Sequence, residues 1–226
     1  RYSRRSHYQD ELLGILQHLD DAGHAYPHVV STPYHQCMFV PAPSHEMMGR
    51  VDFHMAVLSK YPMQAALRHQ LPLLDESYLR QQFNLKRALQ EARFLVEGGG
   101  EFVAFNTHLS AFAFNDGTPE KEIAMLDEHM GRCEERGAAW VLAGDFNMLP
   151  PGDLPERLGV INNEDHATFY NSGGSPIEPL CRKYRCAMDL RAWSGLPPAG
   201  RAASPDNTYL PLGTDVADRV LDWAFV

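Results

Sequence analysis

The sequence predicts a mixed α/β fold, and three stretches of the chain carry this prediction. Residues 86–97 and 101–108 are apolar segments on either side of three consecutive glycines, a pattern typical of a β-hairpin. Residues 119–136 begin with proline, have glutamates in the first turn and place apolar side chains on one face, which predicts a helix that covers the sheet. Residues 140–143 are a short apolar run that indicates a buried strand.

The N-terminal quarter has a more variable pattern. Residues 8–21 predict an amphipathic helix, with acidic residues at its start and Gly23 after its end. Four prolines interrupt residues 24–43, so we expect irregular structure there, with at most a short strand at 36–40. Residues 51–59 predict a further strand.

The C-terminal third carries the weakest signals. Residues 150–159 are rich in proline and glycine, which predicts a loop next to the strand at 140–143. Residues 162–209 show little periodicity, and only 188–190 look like a buried fragment. With no repeat and no linker in the sequence, we expect residues 1–226 to form a single domain.

Composition limits the classes of function. The formal net charge of −9 means that the surface as a whole does not attract polyanions. Nucleic-acid binding would need a local basic patch, and the candidates are Arg1, Arg4 and Arg5 or Arg182, Lys183 and Arg185. Four cysteines are too few for a disulfide scaffold, and no apolar run approaches the length of a transmembrane segment.

Polar side chains follow two of the predicted strands. Asp145 and Asn147 come after the run at 140–143, and alternation along an extended chain would point them to one side with Phe146 on the other. A carboxylate beside an amide can hold a hard cation, orient a water or donate to a phosphoryl oxygen. The alternative is a strand that simply ends in a turn, where these residues are common. His108 stands at the end of the strand at 101–108 in the same way.

Three motifs give the sequence a family resemblance. They are Asn-Thr-His-Leu at 106–109, Ala-Gly-Asp-Phe-Asn at 143–147 and Arg-Val-Leu-Asp-Trp-Ala-Phe-Val at 219–226. In this order and spacing the chain resembles the endonuclease/exonuclease/phosphatase superfamily, the metal-dependent phosphoesterases related to pancreatic-type deoxyribonuclease and neutral sphingomyelinase. The resemblance spans nearly the whole chain. It implies a four-layer αββα sandwich of two mostly antiparallel sheets, with the active site where both sheets present their strand ends.

The resemblance also implies catalytic roles for four residues: His108, Asp145, Asn147 and Asp222. Asp145 would bind Mg²⁺ or Mn²⁺ and orient or deprotonate the attacking water. Asn147 would hold that water or a phosphate oxygen, while a charged His108 would donate to the phosphate. Asp222 would orient a histidine. Arg87 matches a position near the active-site mouth of relatives, but it could equally be an exposed strand residue.

Other parts of a superfamily site are expected outside the sequence. The first strands would supply an asparagine and a metal-binding glutamate, and a Ser-Asp-His segment would follow the last strand, so the domain apparently lacks its first strands and its last segment. The substrate stays open among nucleic acids, phospholipids and phosphorylated small molecules. The alternative to a hydrolase is a catalytically degenerate member of the same fold that serves as a binding or scaffold module.

Overall fold

The computed structural model of the chain describes residues 10–40, 49–111, 116–161, 170, 174–211 and 213–226. Its helices and strands follow in chain order: α1 (Glu11–Asp21), β1 (His28–Val40), β2 (Gly49–Ser59), β3 (Ala65–Gln70), α2 (Tyr78–Phe83), β4 (Ala88–Val96), β5 (Gly100–His108), α3 (Thr118–Glu135), β6 (Ala139–Asp145), α4 (Pro155–Ile161), α5 (Glu178–Lys183), α6 (Leu190–Ser194), α7 (Pro198–Ala202) and β7 (Asp222–Phe225).

Five strands form the sheet that carries the candidate site, in the order β3-β4-β5-β6-β7. All neighbours are antiparallel except β5 and β6, which are parallel. Strands β4 and β5 form the predicted hairpin, in which Gly98 and Gly99 have φ values of 95° and 91° that favour glycine. The parallel pair needs a crossover connection, and α3 supplies it.

Helix α3 packs on one face of this sheet, as the sequence predicts. Ile123, Leu126 and Met130 are buried, and they belong to one core cluster with Phe105 of β5 and Leu142 of β6. Removal of this apolar area from water is the main force that holds the helix on the sheet.

The two-stranded sheet β1-β2 packs on the opposite face of the five-stranded sheet. The side-chain amide of Gln90 in β4 donates to the Thr32 hydroxyl of β1 at 2.8 Å, and that of Asn106 in β5 donates to the Ala56 carbonyl of β2 at 3.2 Å. Residues of even number in β5 therefore face β1-β2, whereas Phe105 faces α3. The architecture confirms the predicted α/β sandwich with two mostly antiparallel sheets.

The prediction for residues 24–43 was wrong, because β1 is a strand of 13 residues. Pro33 lies within it, at a point where the register with β2 shifts between Pro33 and His35. Among the described strands, β1 pairs with β2 alone. A proline is tolerated in it because one edge of the strand has no hydrogen-bond ladder that the missing N–H would interrupt.

The C-terminal third contains more helix than the sequence predicts. Helix α4 occupies 155–161, within and just beyond the predicted loop at 150–159, and α5, α6 and α7 lie within the region of weak pattern. Each of these helices spans five to seven residues, which is too short for a clear periodic signal. Among the described helices, none is both long and apolar enough to span a membrane.

Candidate active site

Three strand ends meet at one edge of the five-stranded sheet. Strand β5 ends at His108, β6 ends at Asp145 and β7 begins at Asp222. In the sheet register Asp145 lies between the other two, opposite His108 on one side and Asp222 on the other. Register partners on neighbouring strands project from the same face, so the structure brings these three predicted site residues together on the face toward β1-β2. We call this edge the rim.

The rim is open to solvent. The His108 and Asp145 side chains retain 31% and 34% of their accessible surface, and Asp222 is exposed. His108 Nε2 lies 3.4 Å from Asp145 Oδ2. A ligand can therefore reach the imidazole and the carboxylate at the same time.

Gly144 fixes the position of Asp145 through a close approach of two backbones. It has φ of 154°, and a Cβ atom placed on it would lie 2.0 Å from the Thr107 carbonyl oxygen of β5. Only glycine fits this position without a shift of the backbone. Two backbone hydrogen bonds of 2.9 Å hold the residues that follow Gly144. The Leu109 N–H donates to the Asp145 carbonyl, and the Phe146 N–H donates to the Leu221 carbonyl.

Asn147 is held by a turn and not by strand alternation. Strand β6 ends at Asp145, and Asn147 has φ of 53°, in the left-handed region that asparagine enters more readily than most residues. Its backbone N–H donates to Asp145 Oδ1 at 2.9 Å, and its Nδ2 donates to the Leu109 carbonyl at 3.1 Å. The Asn147 amide therefore joins the ends of β5 and β6 beside the Asp145 carboxylate.

Asp222 is positioned by the segment before β7. The Thr208 hydroxyl accepts hydrogen bonds from the backbone N–H groups of Leu221 and Asp222, both at 3.0 Å. On the core side of this segment, the Trp223 indole donates to the Met148 carbonyl at 3.1 Å. These bonds hold the start of β7 against the turn after β6.

Arg87 adds a buried cation to the rim. Its side chain is only 5% exposed, and its Nη1 has no hydrogen-bond partner among the described residues. The guanidinium lies 5.6 Å from the centre of the Tyr34 ring, which in turn lies 5.4 Å from the centre of the His108 ring. Of the two sequence-based interpretations of Arg87, the exposed strand residue was therefore wrong. A buried guanidinium with an unpaired nitrogen is suited to an anionic ligand.

Glu122 of α3 supports the rim from behind. It is fully buried and accepts two hydrogen bonds from Ser110, from the backbone N–H at 3.0 Å and from the hydroxyl at 2.8 Å. Burial raises the pKa of Glu122 to about 7, with a further rise from Asp116, although Ser110 and Arg87 oppose the shift. The sequence identifies Glu122 only as a residue in the first turn of a helix. Its spacing of four from Leu126 could have shown that it lies on the buried face.

This raised pKa predicts a pH-dependent stability. Because the folded-state pKa lies above the ordinary value of 4.5, the contribution of Glu122 is full below pH 4.5 and is lost as the pH rises through about 7. We expect Glu122→Gln to remove this loss, about 3 kcal/mol of unfolding free energy between pH 4.5 and pH 7.5. Urea unfolding at a series of pH values measures it. Glu120→Gln, an exposed first-turn change, should keep the wild-type pH profile, and an equal profile for Glu122→Gln would contradict the assignment.

The electrostatics of the rim differ from the sequence-based expectation at His108. Burial and the neighbouring Arg87 lower the pKa of His108 to about 4, so the imidazole is neutral at pH 7 and donates through a single N–H. Burial and the charge of Asp222 raise the pKa of Asp145, against the Asn147 N–H and Arg87, which lower it. The Asp145 and Asp222 carboxylates therefore repel each other across the β6-β7 pair.

The oxygen atoms at the rim are suitable for a hard divalent cation. Asp145 and Asp222 offer carboxylates, and Asn147 offers an amide oxygen, which are ligand types that Mg²⁺ and Mn²⁺ prefer. A cation bound at Asp145 would also relieve its repulsion with Asp222. The donor set therefore fits the metal that the family resemblance implies.

The candidate basic patch in the C-terminal third is largely neutralised. Arg182 Nη2 lies 2.6 Å from Glu178 Oε1, and Lys183 Nζ lies 2.6 Å from Asp127 Oδ1. The other candidate patch, residues 1–5, lies outside the described residues. Nothing in the described part of the patch favours nucleic acid over other phosphate esters.

Comparison with known proteins gives a likeness at the level of the fold. No protein-family profile matches the sequence, and no curated protein matches it significantly. Among solved structures, an endonuclease/exonuclease/phosphatase from Beutenbergia cavernae DSM 12333 matches 96% of this chain with a TM-score of 0.53 and 18% identity. The human Nocturnin catalytic domain with bound sulfate matches 97% of it with a TM-score of 0.49 and 13% identity.

The chain spans 50% of the length of the first of these structures and 65% of the second. The first match extends over nearly the whole of the present sequence. The chain therefore has the fold of the endonuclease/exonuclease/phosphatase superfamily, as its three motifs predict.

Proposed function

We propose that this protein is a divalent-metal-dependent hydrolase of phosphate esters, with the rim as its active site. One observation carries the proposal: the Asp145 carboxylate and the His108 imidazole lie 3.4 Å apart at a solvent-accessible edge, and the buried Arg87 guanidinium is close enough to lower the pKa of both. Hydrolysis of a phosphate ester needs a positioned water, neutralisation of the phosphoryl oxygens and a stabilised leaving oxygen. The rim offers a group for the first two of these needs.

Each rim residue has a role that follows from its geometry. The Asp145 carboxylate accepts a proton from the attacking water or orients it, while Asn147 holds the carboxylate through its backbone N–H. His108 is neutral at pH 7 and donates one hydrogen bond to a phosphoryl oxygen. Arg87 supplies positive charge from its buried position near Asp145. Mg²⁺ or Mn²⁺, held by Asp145 and further ligands of the full-length protein, would supply the remaining charge neutralisation.

The role of Asp222 is to orient rather than to react. Its carboxylate lies beside that of Asp145 in the sheet register, at the exposed start of β7. We propose that it accepts a hydrogen bond from a histidine of the full-length protein, which fixes the tautomer of that ring.

The test is a hydrolysis assay of the full-length protein on a phosphomonoester, a phosphodiester, a short oligonucleotide and sphingomyelin, with and without Mg²⁺. We expect turnover of at least one substrate, its loss in chelator and its recovery on addition of Mg²⁺ or Mn²⁺. Turnover of a monoester alone would exclude a nuclease. Absence of metal-dependent turnover on every substrate, together with phosphate-ester binding that chelator does not change, would overturn the proposal in favour of a scaffold module.

Arg87 gives a second prediction, because hydrogen bonds to a charged partner contribute about 1.5–3 kcal/mol. Arg87→Met should lower kcat/KM by about 10–100-fold, with partial recovery in Arg87→Lys, which keeps the charge but loses the planar fork. Arg191→Met, an exposed arginine of α6, is the matched control and should keep wild-type kinetics. Equal kinetics for Arg87→Met and Arg191→Met would exclude contact between Arg87 and the phosphate.

A further inference from the structure

A second group of chemically active side chains lies on the other face of the five-stranded sheet. It consists of His69 in β3, Glu91 in β4 and His129 in α3, and we call it the helix-face cluster. Glu91 is the register partner of Phe105 in β5, whose ring contacts His129, so the cluster lies on the face covered by α3. His108, three residues after Phe105, projects to the opposite face. The helix-face cluster is therefore separate from the rim.

The geometry of the helix-face cluster is that of three converging ligands. One nitrogen or oxygen of each residue lies within 4.8 Å of one such atom of each of the others. His69 Nε2 and Glu91 Oε2 are 2.6 Å apart, and the two imidazole rings have centres 4.2 Å apart. A tetrahedral ion with bonds of about 2.0–2.2 Å needs ligand atoms separated by roughly 3.3 Å, which small side-chain rotations supply.

Burial and access are also suitable. The side chain of Glu91 is 3% exposed and His129 is 7% exposed, while the His69 side chain retains 22% and gives a path from solvent. No hydrogen bond to either ring nitrogen of His129 is formed within the described part of the chain, although the residue is buried. A ring nitrogen that forms no hydrogen bond has a lone pair or an N–H available to a ligand, and a neutral imidazole is a common metal ligand.

The surroundings hold the carboxylate in place. Arg93 Nε donates to Glu91 Oε1 at 2.5 Å, on the oxygen that does not face His69. Arg136, which approaches Glu91 Oε1 to 3.9 Å, is paired with Glu101 at 2.6 Å. The positive charges near Glu91 are therefore partly balanced, and one carboxylate oxygen stays oriented toward the histidines. Partners of this kind orient metal ligands in proteins.

We propose that the helix-face cluster binds a divalent transition-metal ion, with Zn²⁺ as the best fit. Two imidazoles and one carboxylate are a ligand set that zinc takes, with a fourth position open to water, whereas Mg²⁺ prefers oxygen ligands alone. The bound ion connects α3 to β3 and β4. This site stabilises the packing of the helix on the sheet and does not depend on the proposed hydrolase activity.

The test uses the full-length protein, stripped with chelator and desalted, in excess Mg²⁺ so that oxygen-rich sites are occupied. Titration with Co²⁺ is followed by visible absorption, and Zn²⁺ binding by calorimetry. We expect one Co²⁺ per chain with the strong d–d bands of four-coordination, displaced by Zn²⁺. Zn²⁺ at about 100 times its Kd should raise Tm by roughly 5–10 °C.

Variants assign the ion to the cluster. His69→Gln and Glu91→Gln should each weaken Zn²⁺ binding by more than about tenfold and abolish the Tm rise. His69 is only half-buried, so His69→Gln keeps the test valid if Glu91→Gln fails to fold. His54→Gln is the matched control, because His54 Nε2 also pairs with a carboxylate, Asp52 Oδ1 at 2.6 Å, and it should bind Zn²⁺ as the wild type does.

Two results would overturn the proposal. One is the absence of Co²⁺ bands and of a Zn²⁺-dependent Tm rise in the wild type, and the other is equal Zn²⁺ affinity in wild type and His69→Gln. Asp145→Asn separates this site from the rim, since it should leave the Co²⁺ spectrum unchanged. A failure here with intact Mg²⁺-dependent hydrolysis would leave the proposed function standing.

Discussion

Asp145→Asn is expected to lower kcat for phosphate-ester hydrolysis by about 10²–10⁴-fold, the range for loss of a positioned acid or base. The substitution removes the charge that, in the proposed mechanism, binds the cation and accepts the water proton. It keeps the side-chain shape and an oxygen that can still accept the 2.9 Å hydrogen bond from the Asn147 N–H. Steady-state kinetics of the full-length protein, with thermal unfolding as a check on the fold, measure the effect.

Asp127→Asn is the matched control for this experiment. The Asp127 side chain is 39% exposed, close to the 34% of Asp145, but it pairs with Lys183, away from the rim. Asp127→Asn should change kcat by less than twofold. Exposed ion pairs contribute only about 0–1 kcal/mol to stability, and Asp127 has no part in the proposed site. Equal loss of activity in both variants would show that charge alone, and not the position of Asp145, determines the rate.

Gly144→Ala is expected to have the largest effect on stability, a loss of about 3–5 kcal/mol of unfolding free energy. Two costs add at this position. The φ value of 154° is one that side chains rarely adopt, and the added methyl would lie 2.0 Å from the Thr107 carbonyl oxygen. The Thr107 oxygen belongs to the backbone and cannot rotate away, so the β5-β6 pair must separate at the rim. Urea unfolding measures the change.

Gly131→Ala provides the contrast within the same chain. Gly131 lies inside α3, and an added Cβ would meet nothing within 4 Å apart from the helix itself and its chain neighbours. Alanine should raise the unfolding free energy by about 0.5–1 kcal/mol there, because it restricts the unfolded chain. A similar, small effect for Gly144→Ala would contradict the close approach of β5 and β6.

The sequence predicted the elements that depend on local patterns. The β4-β5 hairpin, helix α3 and strand β6 each have a period, a cap or a turn that lies within the element itself. Strand β1 was missed apart from residues 36–40, because Pro33 within it and the prolines that flank it indicate irregular structure. Its regularity comes from pairing with β2. The register shift that makes room for Pro33 is a property of that pair, and no local pattern reports it.

The candidate site was predictable in part for the same reason. His108 and Asp145 stand at the ends of apolar runs, so the sequence alone shows the motifs that contain them. Three further residues approach the rim from other parts of the fold: Tyr34 from β1, Arg87 from the connection before β4 and Glu122 from α3. Their contacts depend on how the two sheets and α3 pack. The neutral state of His108 likewise follows from burial and from Arg87, and a sequence gives neither.

The helix-face cluster shows the same limit more strongly. His69, Glu91 and His129 are far apart in sequence, and none of them is part of a short metal-binding motif. The register of β3 on β4 pairs Glu91 with Leu67, two residues before His69, so His69 and Glu91 lie on the same face of the sheet. The packing of α3 brings His129 to both. Only the tertiary structure makes these residues a group.

A crystal structure of the full-length protein with Mn²⁺ and inorganic phosphate tests the rim most directly, since anomalous scattering locates the manganese. We expect Mn²⁺ at about 2.0–2.2 Å from a carboxylate oxygen of Asp145. The phosphate should lie within hydrogen-bond distance of His108 Nε2 and the Arg87 guanidinium. Manganese found away from Asp145, or phosphate bound elsewhere on the surface with Arg87 still unpaired, would contradict a phosphate-ester hydrolase at this edge of the sheet.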